Sequence, residues 1–353
     1  MIYVSLVMAF IVAILITPLV KRLAFRIGAV DAPNYRKVHS RIMPRLGGLA
    51  IFIAFLVGLA ILRPLPDGDN SYVMPIAIIL GATIIVLTGM LDDVFEISAK
   101  SKLIGQLIAA FIIVFVGDIQ IHFINLPFGV KLEFGLLSIP FTIIWIVGIT
   151  NAINLIDGLD GLAAGVSTIA LVTLSCMAFI LGDMFVVATA AILACSTIGF
   201  LFHNFYPAKI FMGDTGALFL GFMISVLSLL GFKGVTMFSF IVPVIMLGVP
   251  ISDTFFAIVR RFRNKQKWTA PDKSHLHHCL IGLGFSHRQT VLLIYGIATL
   301  FGLAAITISV AKLWGAIFLI AVILVLIELF VEVIGLAGKN YRPLINLAKL
   351  FNK

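Results

Sequence analysis

Carboxylates in this sequence gather where a divalent cation and a phosphate would need them. Leu91 is followed by the adjacent pair Asp92 and Asp93. Neighbouring acids repel, and one tends to protonate unless a cation sits between them. Mg²⁺ near phosphates commonly uses one or two such carboxylates. The alternative is a pair of solvated acids capping a helix. Asn151, Asn154, Asp157 and Asp160 recur every three positions, so in a helix they share one side. Gly158 and Gly161 argue that this stretch also turns. Its amides can read a base or sugar and its acids can hold a metal or a hydroxyl; the alternative is a polar helix end with caps. In Phe211–Gly216, glycines flank Asp214 just before an apolar run. Backbone can approach a ligand closely there, and the following helix offers free N–H groups toward a phosphate. Asn204 lies upstream on the same side.

Cations and imidazoles gather in two other segments. Three of the seven histidines, His275, His277 and His278, fall within four positions. The HxHH spacing suits a transition metal but not the HExxH pattern of a zinc hydrolase. With Arg263, Lys265, Lys267 and Lys273 nearby, these rings suit phosphate oxygens better than a cation. The second segment runs Arg36, Lys37, His39, Arg41, Arg45 and then Gly47-Gly48. It either sets topology and attracts anionic lipid or seats a lipid phosphate. Gly161 and Gly165 form a GxxxG that packs helices. Cys176, Cys195 and Cys279 offer neither a disulfide framework nor zinc spacing.

The elements that must position these residues are membrane helices. Of 353 residues, 61% are apolar and only 12% charged. A soluble domain is nearer 45–50% apolar and about 25% charged. That excludes a soluble enzyme, a coiled coil and a disordered chain. Continuous rather than alternating apolar runs exclude a membrane barrel. Eleven runs read as spans: Ile2–Val20, Gly47–Leu62, Val73–Leu91, Leu103–Gly117, Leu137–Ile153, Leu162–Leu181, Met184–Phe202, Thr215–Phe232, Met237–Ala257, Thr290–Val310 and Leu313–Ile334. The first lacks the basic flank and cleavage site of a signal peptide. Of the 25 Lys and Arg, 21 fall on one set of alternating loops and 4 on the other. The positive-inside rule then places the N-terminus outside and the C-terminus in the cytoplasm.

Asp92, Asp93, Asp157, Asp160 and Asp214 all fall at the inner face, with Glu96, Asp253 and Asp272 on the same side. Carboxylates from separate loops at one face predict one converging site. An ion-coupled transporter is the rival class, but its acids belong near the bilayer midplane. Glu328 and Glu332 in the last span are the exceptions to placement at inner span ends, and they have no functional reading.

At these residues the sequence resembles the polyprenyl-phosphate N-acetylhexosamine-1-phosphate transferases. The matching stretches are Arg45–Gly48, Leu91–Asp93, Asn151–Gly161, Phe211–Gly216 and His275–His278, in the family's order and nearly end to end. Within the family the sequence is most similar to the branch that begins wall teichoic acid linkage units. It also resembles the enterobacterial-antigen and O-antigen initiating branches. The muramoyl-pentapeptide branch carries three consecutive histidines, which Leu276 interrupts here.

The resemblance implies an all-α polytopic fold of about eleven transmembrane helices (ten as the alternative). It implies one transferase domain over 1–353, with active-site loops at 21–45, 92–102, 154–161, 203–214 and 258–288 on the cytoplasmic face of a bacterial plasma membrane. The implied reaction moves GlcNAc-1-phosphate from UDP-GlcNAc to undecaprenyl phosphate and releases UMP. Mg²⁺ is required, with Mn²⁺ a substitute. Another UDP-HexNAc or UDP-MurNAc-pentapeptide is the alternative donor. Membrane lipid is a partner, nucleic acid is not, and an oligomer is open.

By position, Asp92, Asp93 and Lys102 are the catalytic candidates, and Asp92, Asp93 and Asp214 the metal set. Asn154, Asp157, Asp160, Asn204, His275, His277 and His278 face the nucleotide sugar. Arg41, Arg45, Lys100 and Lys102 serve the lipid phosphate. Both substrates are anions, and two unit charges about 4 Å apart repel by about 4 kcal/mol at an effective dielectric near 20. The lipid phosphate, mostly dianionic at neutral pH, attacks either the β-phosphorus directly or a phospho-enzyme formed on Asp92 or Asp93. Direct attack is the expected route.

Overall fold

The computed structural model describes residues 1–32, 42–66, 72–125, 131–231, 241–263, 275–336 and 341–346. Its helices are α1 (Ile2–Ile27), α2 (Gly47–Leu62), α3 (Val73–Phe95), α4 (Ala99–Phe115), α5 (Ser138–Ile156), α6 (Leu162–Leu181) and α7 (Met184–Asn204). They continue as α8 (Gly213–Gly231), α9 (Ile241–Met246), α10 (Gly248–Arg263), α11 (Leu276–Gly282), α12 (His287–Val310) and α13 (Leu313–Ile334). Two short antiparallel ribbons pair β1 (Val30–Asp31) with β2 (Met43–Pro44) and β3 (Phe123–Asn125) with β4 (Lys131–Glu133). The protein is an all-α polytopic membrane protein.

Among the described residues, every expected span is helical over most of its length. Among the described residues, eight helices are long and apolar enough to cross a bilayer on their own. Of the rest, α2 has 16 residues and α4 has 17. The ninth expected span is not continuous: it divides at Leu247 into α9 and α10. Pro250 lacks the N–H that would bond the Met246 carbonyl, so the ladder fails there.

α3 and α4 also outrun their apolar cores at the ends that carry the charged residues. α3 continues to Phe95, so Asp92 and Asp93 occupy its last turn rather than a loop. α4 already begins at Ala99, placing Lys100 and Lys102 in its first turns, with Ser98 as N-cap to the Ser101 N–H. The expected 258–288 loop begins in α10 and contains α11.

α8 is the central helix, buried from Thr215 to Gly231 save for Leu229. In lipid, close backbone packing replaces the hydrophobic drive between helices. Small residues permit it here: a Cβ on Gly48 would lie 2.0 Å from the Gly216 nitrogen, and one on Gly89 would lie 2.5 Å from Thr215 Cα. Further along α8, Phe219 packs edge-on to Phe52 with ring centroids 5.3 Å apart. The expected packing role of Gly161 and Gly165 is met by Tyr295 of α12: its ring lies over Gly165 and its hydroxyl donates to the Gly161 carbonyl.

At the periphery, α13 exposes Leu324, Val325 and Leu326, as a lipid-facing helix does. Glu332 near its C-terminal end is fully buried. Its carboxylate accepts from the Leu344 and Ile345 N–H groups at 2.6 and 2.9 Å, so its role is to fasten the C-terminal segment.

Candidate active site

The acidic pair divides its labour because helical neighbours point about 100° apart. Asp93 is buried, with 2% of its surface exposed. Its Oδ1 accepts from the Asp214 N–H at 3.0 Å, and its Oδ2 accepts from the Thr215 N–H at 3.0 Å and from the Thr215 hydroxyl. These are orphan donors at the start of α8. Gly213 makes the entry with φ of 70°, and a Cβ there would meet the Asp93 oxygens. Asp93 therefore binds the end of α3 to the start of α8.

Asp92 turns the other way. Lys102 Nζ lies 3.3 Å from Asp92 Oδ2 and 2.9 Å from Asp214 Oδ2. Burial works against the Lys102 charge, but Asp214 and then Asp92 outweigh it and hold the ammonium above its ordinary pKa. Two carboxylate oxygens converge on one cationic atom. Hard divalent cations take oxygen ligands of this kind, so Asp92 and Asp214 are the residues that could hold Mg²⁺; no group of three metal-ligating side chains occurs among the described residues.

Arg45 closes the adjoining edge. Its guanidinium donates to Glu96 Oε1 at 3.0 Å and to the Asp93 carbonyl at 3.3 Å, and lies 3.6 Å from Asp31. The backbone beside it is stitched to the strand before α8: Phe211 N donates to the Pro44 carbonyl, and Gly47 and Gly48 donate to the Phe211 and Met212 carbonyls. Arg45 thus holds three acids rather than standing open. Lys100 is exposed. Arg41 lies outside the described residues.

The next strip comes from α5. Asn151 and Gln106 of α4 exchange amide hydrogen bonds at 2.7 and 3.3 Å. Asn154 follows one turn later, and Asp157 caps the helix. The Asp157 carboxyl is pushed up to about 8, first by burial and then by Asp214, Asp93 and Asp160. It therefore belongs to the same acidic field as the Lys102 cluster. Asp160 accepts from the Ala208 N–H at 2.9 Å, and its own N–H donates to His287 Nε2 at 3.1 Å. The His287 ring stacks on Tyr206 at 4.5 Å. Asn204 is buried and donates to the Ile210 carbonyl at 3.0 Å, shaping the 205–212 turn.

The histidines do not act as three equal donors. His275 and His277 are buried, with 7% and 3% of their surface exposed, while His278 is exposed. His275 Nδ1 lies 2.8 Å from Asp253 Oδ2. His277 packs over Gly158, where a Cβ would lie 2.4 Å from its Nε2, and its buried Nδ1 has no hydrogen-bond partner. Burial, then His278, pushes His277 down to about 3. It is neutral at physiological pH and offers hydrogen bonding rather than charge. Leu276 between them is buried, at 3% exposure.

Asp92, Lys102, Asp157 and Asp214 are thus brought together, and the Gly158–His277 contact joins the histidine motif to them. Sequence reasoning assigned no role to Asp253, Thr215, Gln106 or His287. Asp253 and Gln106 carried a usable signal, because each interrupts an apolar run. Nothing in the sequence marked Thr215 or His287.

Comparison with known proteins identifies the family. The profile of glycosyl transferase family 4 matches residues 75–232. The chain is 50% identical to a Bacillus subtilis protein named "Probable undecaprenyl-phosphate N-acetylglucosaminyl 1-phosphate transferase", over 96% of this chain and 95% of that one. It is 36% identical to the decaprenyl-phosphate N-acetylglucosaminephosphotransferase of Mycolicibacterium smegmatis, over 91% of this chain and 87% of that one. It is 32% identical to the phospho-N-acetylmuramoyl-pentapeptide-transferase of Staphylococcus carnosus, over 65% of this chain and 76% of that one. A family-wide match over the helices that carry Asp92, Asp157 and Asp214, with half of all positions shared end to end with one relative, means that the chain belongs to glycosyl transferase family 4, the polyprenyl-phosphate sugar-1-phosphate transferases.

Proposed function

We propose that this protein transfers GlcNAc-1-phosphate from UDP-GlcNAc to undecaprenyl phosphate, giving undecaprenyl-diphospho-GlcNAc and UMP. The observation that carries this reading is Lys102 held between Asp92 and Asp214 at the ends of apolar helices. A water-soluble diphosphate and a lipid-borne phosphate can meet only at such a boundary. Donor and acceptor names of the Bacillus subtilis relative support the pair of substrates. An apolar groove of about 340 Å³ between α5, α9 and α10, lined by Trp145, Ile149, Val244 and Phe255, suits the polyprenyl tail.

In the reaction, an oxygen of the lipid phosphate attacks the β-phosphorus of the donor. A new P–O bond forms, the bond from the β-phosphorus to the bridging oxygen breaks, and UMP leaves with that oxygen. Lys102 offsets the charge of the incoming phosphate and keeps it near the acids. Asp92 and Asp214 would hold Mg²⁺, which would supply charge neutralisation for the diphosphate and the leaving UMP. Asp157 and Asn154 line the nucleotide side, and His277 and His278 close it. Asp93 serves the chemistry indirectly, by fixing Asp214 to α3. The basic-residue bias puts this site on the cytoplasmic face, where the product begins a cell-wall glycopolymer such as teichoic acid.

The test is purified protein with radiolabelled UDP-GlcNAc, undecaprenyl phosphate and Mg²⁺. Label should enter the lipid phase with UMP released in equal amount. Label transfer only from UDP-MurNAc-pentapeptide, or none without a second protein, would remove this assignment.

A further inference from the structure

Asp253 lies on α10, 1% exposed and apart from the carboxylates around Lys102. A buried acid in an apolar run is costly unless both oxygens are bonded. Both are. Oδ2 meets His275 Nδ1 at 2.8 Å, and Oδ1 accepts from the Leu276 N–H at 2.7 Å. Leu276 is the first residue of α11, so one carboxylate holds both the imidazole and the backbone that begins the histidine helix.

We propose that Asp253 is the positioning residue of the histidine motif. It keeps a proton on His275 Nδ1 and leaves Nε2 to accept from a hydroxyl or amide N–H of the sugar nucleotide. The proposal rests on the donor reading above. A carboxylate only accepts hydrogen bonds, so the nitrogen facing it must donate. In the singly protonated ring the opposite nitrogen carries a lone pair. A lone pair repels phosphate oxygens and attracts O–H and N–H groups, so His275 meets the sugar or ribose rather than the diphosphate. The constraint also reaches the nucleotide side. The His275 ring lies parallel to that of His277, centroids 6.0 Å apart, and His277 rests on Gly158 beside Asp157.

The full chain in detergent, labelled with ¹⁵N-histidine and assigned with His275→Gln, reports the tautomer directly. His275 should carry its proton on Nδ1. In Asp253→Asn the new carbonyl can keep the Leu276 bond while the amide N–H faces the ring, so the proton should move to Nε2. The same variant should raise KM for UDP-GlcNAc about ten- to a hundredfold, the loss expected for one strong hydrogen bond. Its kcat and its KM for undecaprenyl phosphate should stay near the parent values. On a His275→Gln background the change should add nothing, because Asp253 acts only through that ring.

Asp253→Glu keeps a carboxylate and should restore the tautomer and part of the KM even where Asp253→Asn unfolds. A proton on Nε2 in the parent protein would overturn the proposal. So would a flipped tautomer with unchanged KM, equal losses in both substrates' KM, or full additivity with His275→Gln. A parent protein that binds no UDP-GlcNAc would sink the donor reading instead, and the tautomer measurement would stand apart from it.

Discussion

Lys102 and Asp214, 112 positions apart in sequence, meet with Nζ 2.9 Å from Oδ2. The contact joins the first turns of α4 to the first turn of α8, and Asp92 completes it from the last turn of α3. Three helix ends therefore share one charge centre, where the Mg²⁺ proposed above would compete with the ammonium for the same oxygens.

That competition makes Asp214 the most sensitive position for metal use. Asp214→Asn removes one of two anionic ligands and the closer partner of Lys102. Turnover should fall at least about a hundredfold, as expected where more than about 2.7 kcal/mol of charge stabilisation is lost. The Mg²⁺ concentration for half-maximal rate should rise. Full activity of the parent protein in excess chelator would refute the metal reading.

Asp93 should behave differently from its neighbour. Asp93→Asn keeps one acceptor but turns an amide N–H toward the α8 donors. Charge-assisted bonds of this kind are worth about 1.5–3 kcal/mol each. Thermal unfolding in detergent should shift down for Asp93→Asn, with activity lost in proportion and not recovered by added Mg²⁺. Asp92→Asn should leave the unfolding temperature close to that of the parent while abolishing turnover. Equal unfolding temperatures for the two variants would contradict the division of roles.

Acid should destabilise the protein partly through His277. Burial holds its folded-state pKa near 3 against an ordinary 6.5. Between those values the unfolded chain binds a proton that the folded chain does not. Stability is therefore complete above about 6.5 and falls as pH drops through the window. His277→Gln should flatten this acid limb of a plot of unfolding temperature against pH. A limb of unchanged steepness would show that another group controls it.

Orientation can be read by labelling single cysteines placed at Asp69, Lys233 and Lys353. The 21-to-4 division of basic residues predicts the first two outside and the third inside. An impermeant reagent reaching position 353 in intact cells would reverse the assignment of the catalytic face.

Apolar runs longer than a bilayer is thick have few alternatives, because every backbone N–H and C=O must be satisfied within the segment. That alone determined the helical class and the order of the spans, and it left Asp92, Asp157 and Asp214 at span ends. Motif spacing determined the family, since Leu91–Asp93, Asn151–Gly161, Phe211–Gly216 and HxHH occur together and in order. Neither could say which way a side chain turns. Asp92 and Asp93 are chemically identical neighbours, and only the packing of α4 and α8 beside α3 gives one to Lys102 and makes the other a fastening. His275, His277 and His278 read as three equivalent rings until burial and Asp253 separate them. Pairings such as Lys102 with Asp214 and Asp253 with His275 leave no local pattern. They depend on glycine-lined contacts such as Gly48 against Gly216, which set how closely the helices approach, and that distance exists only once the helices are packed.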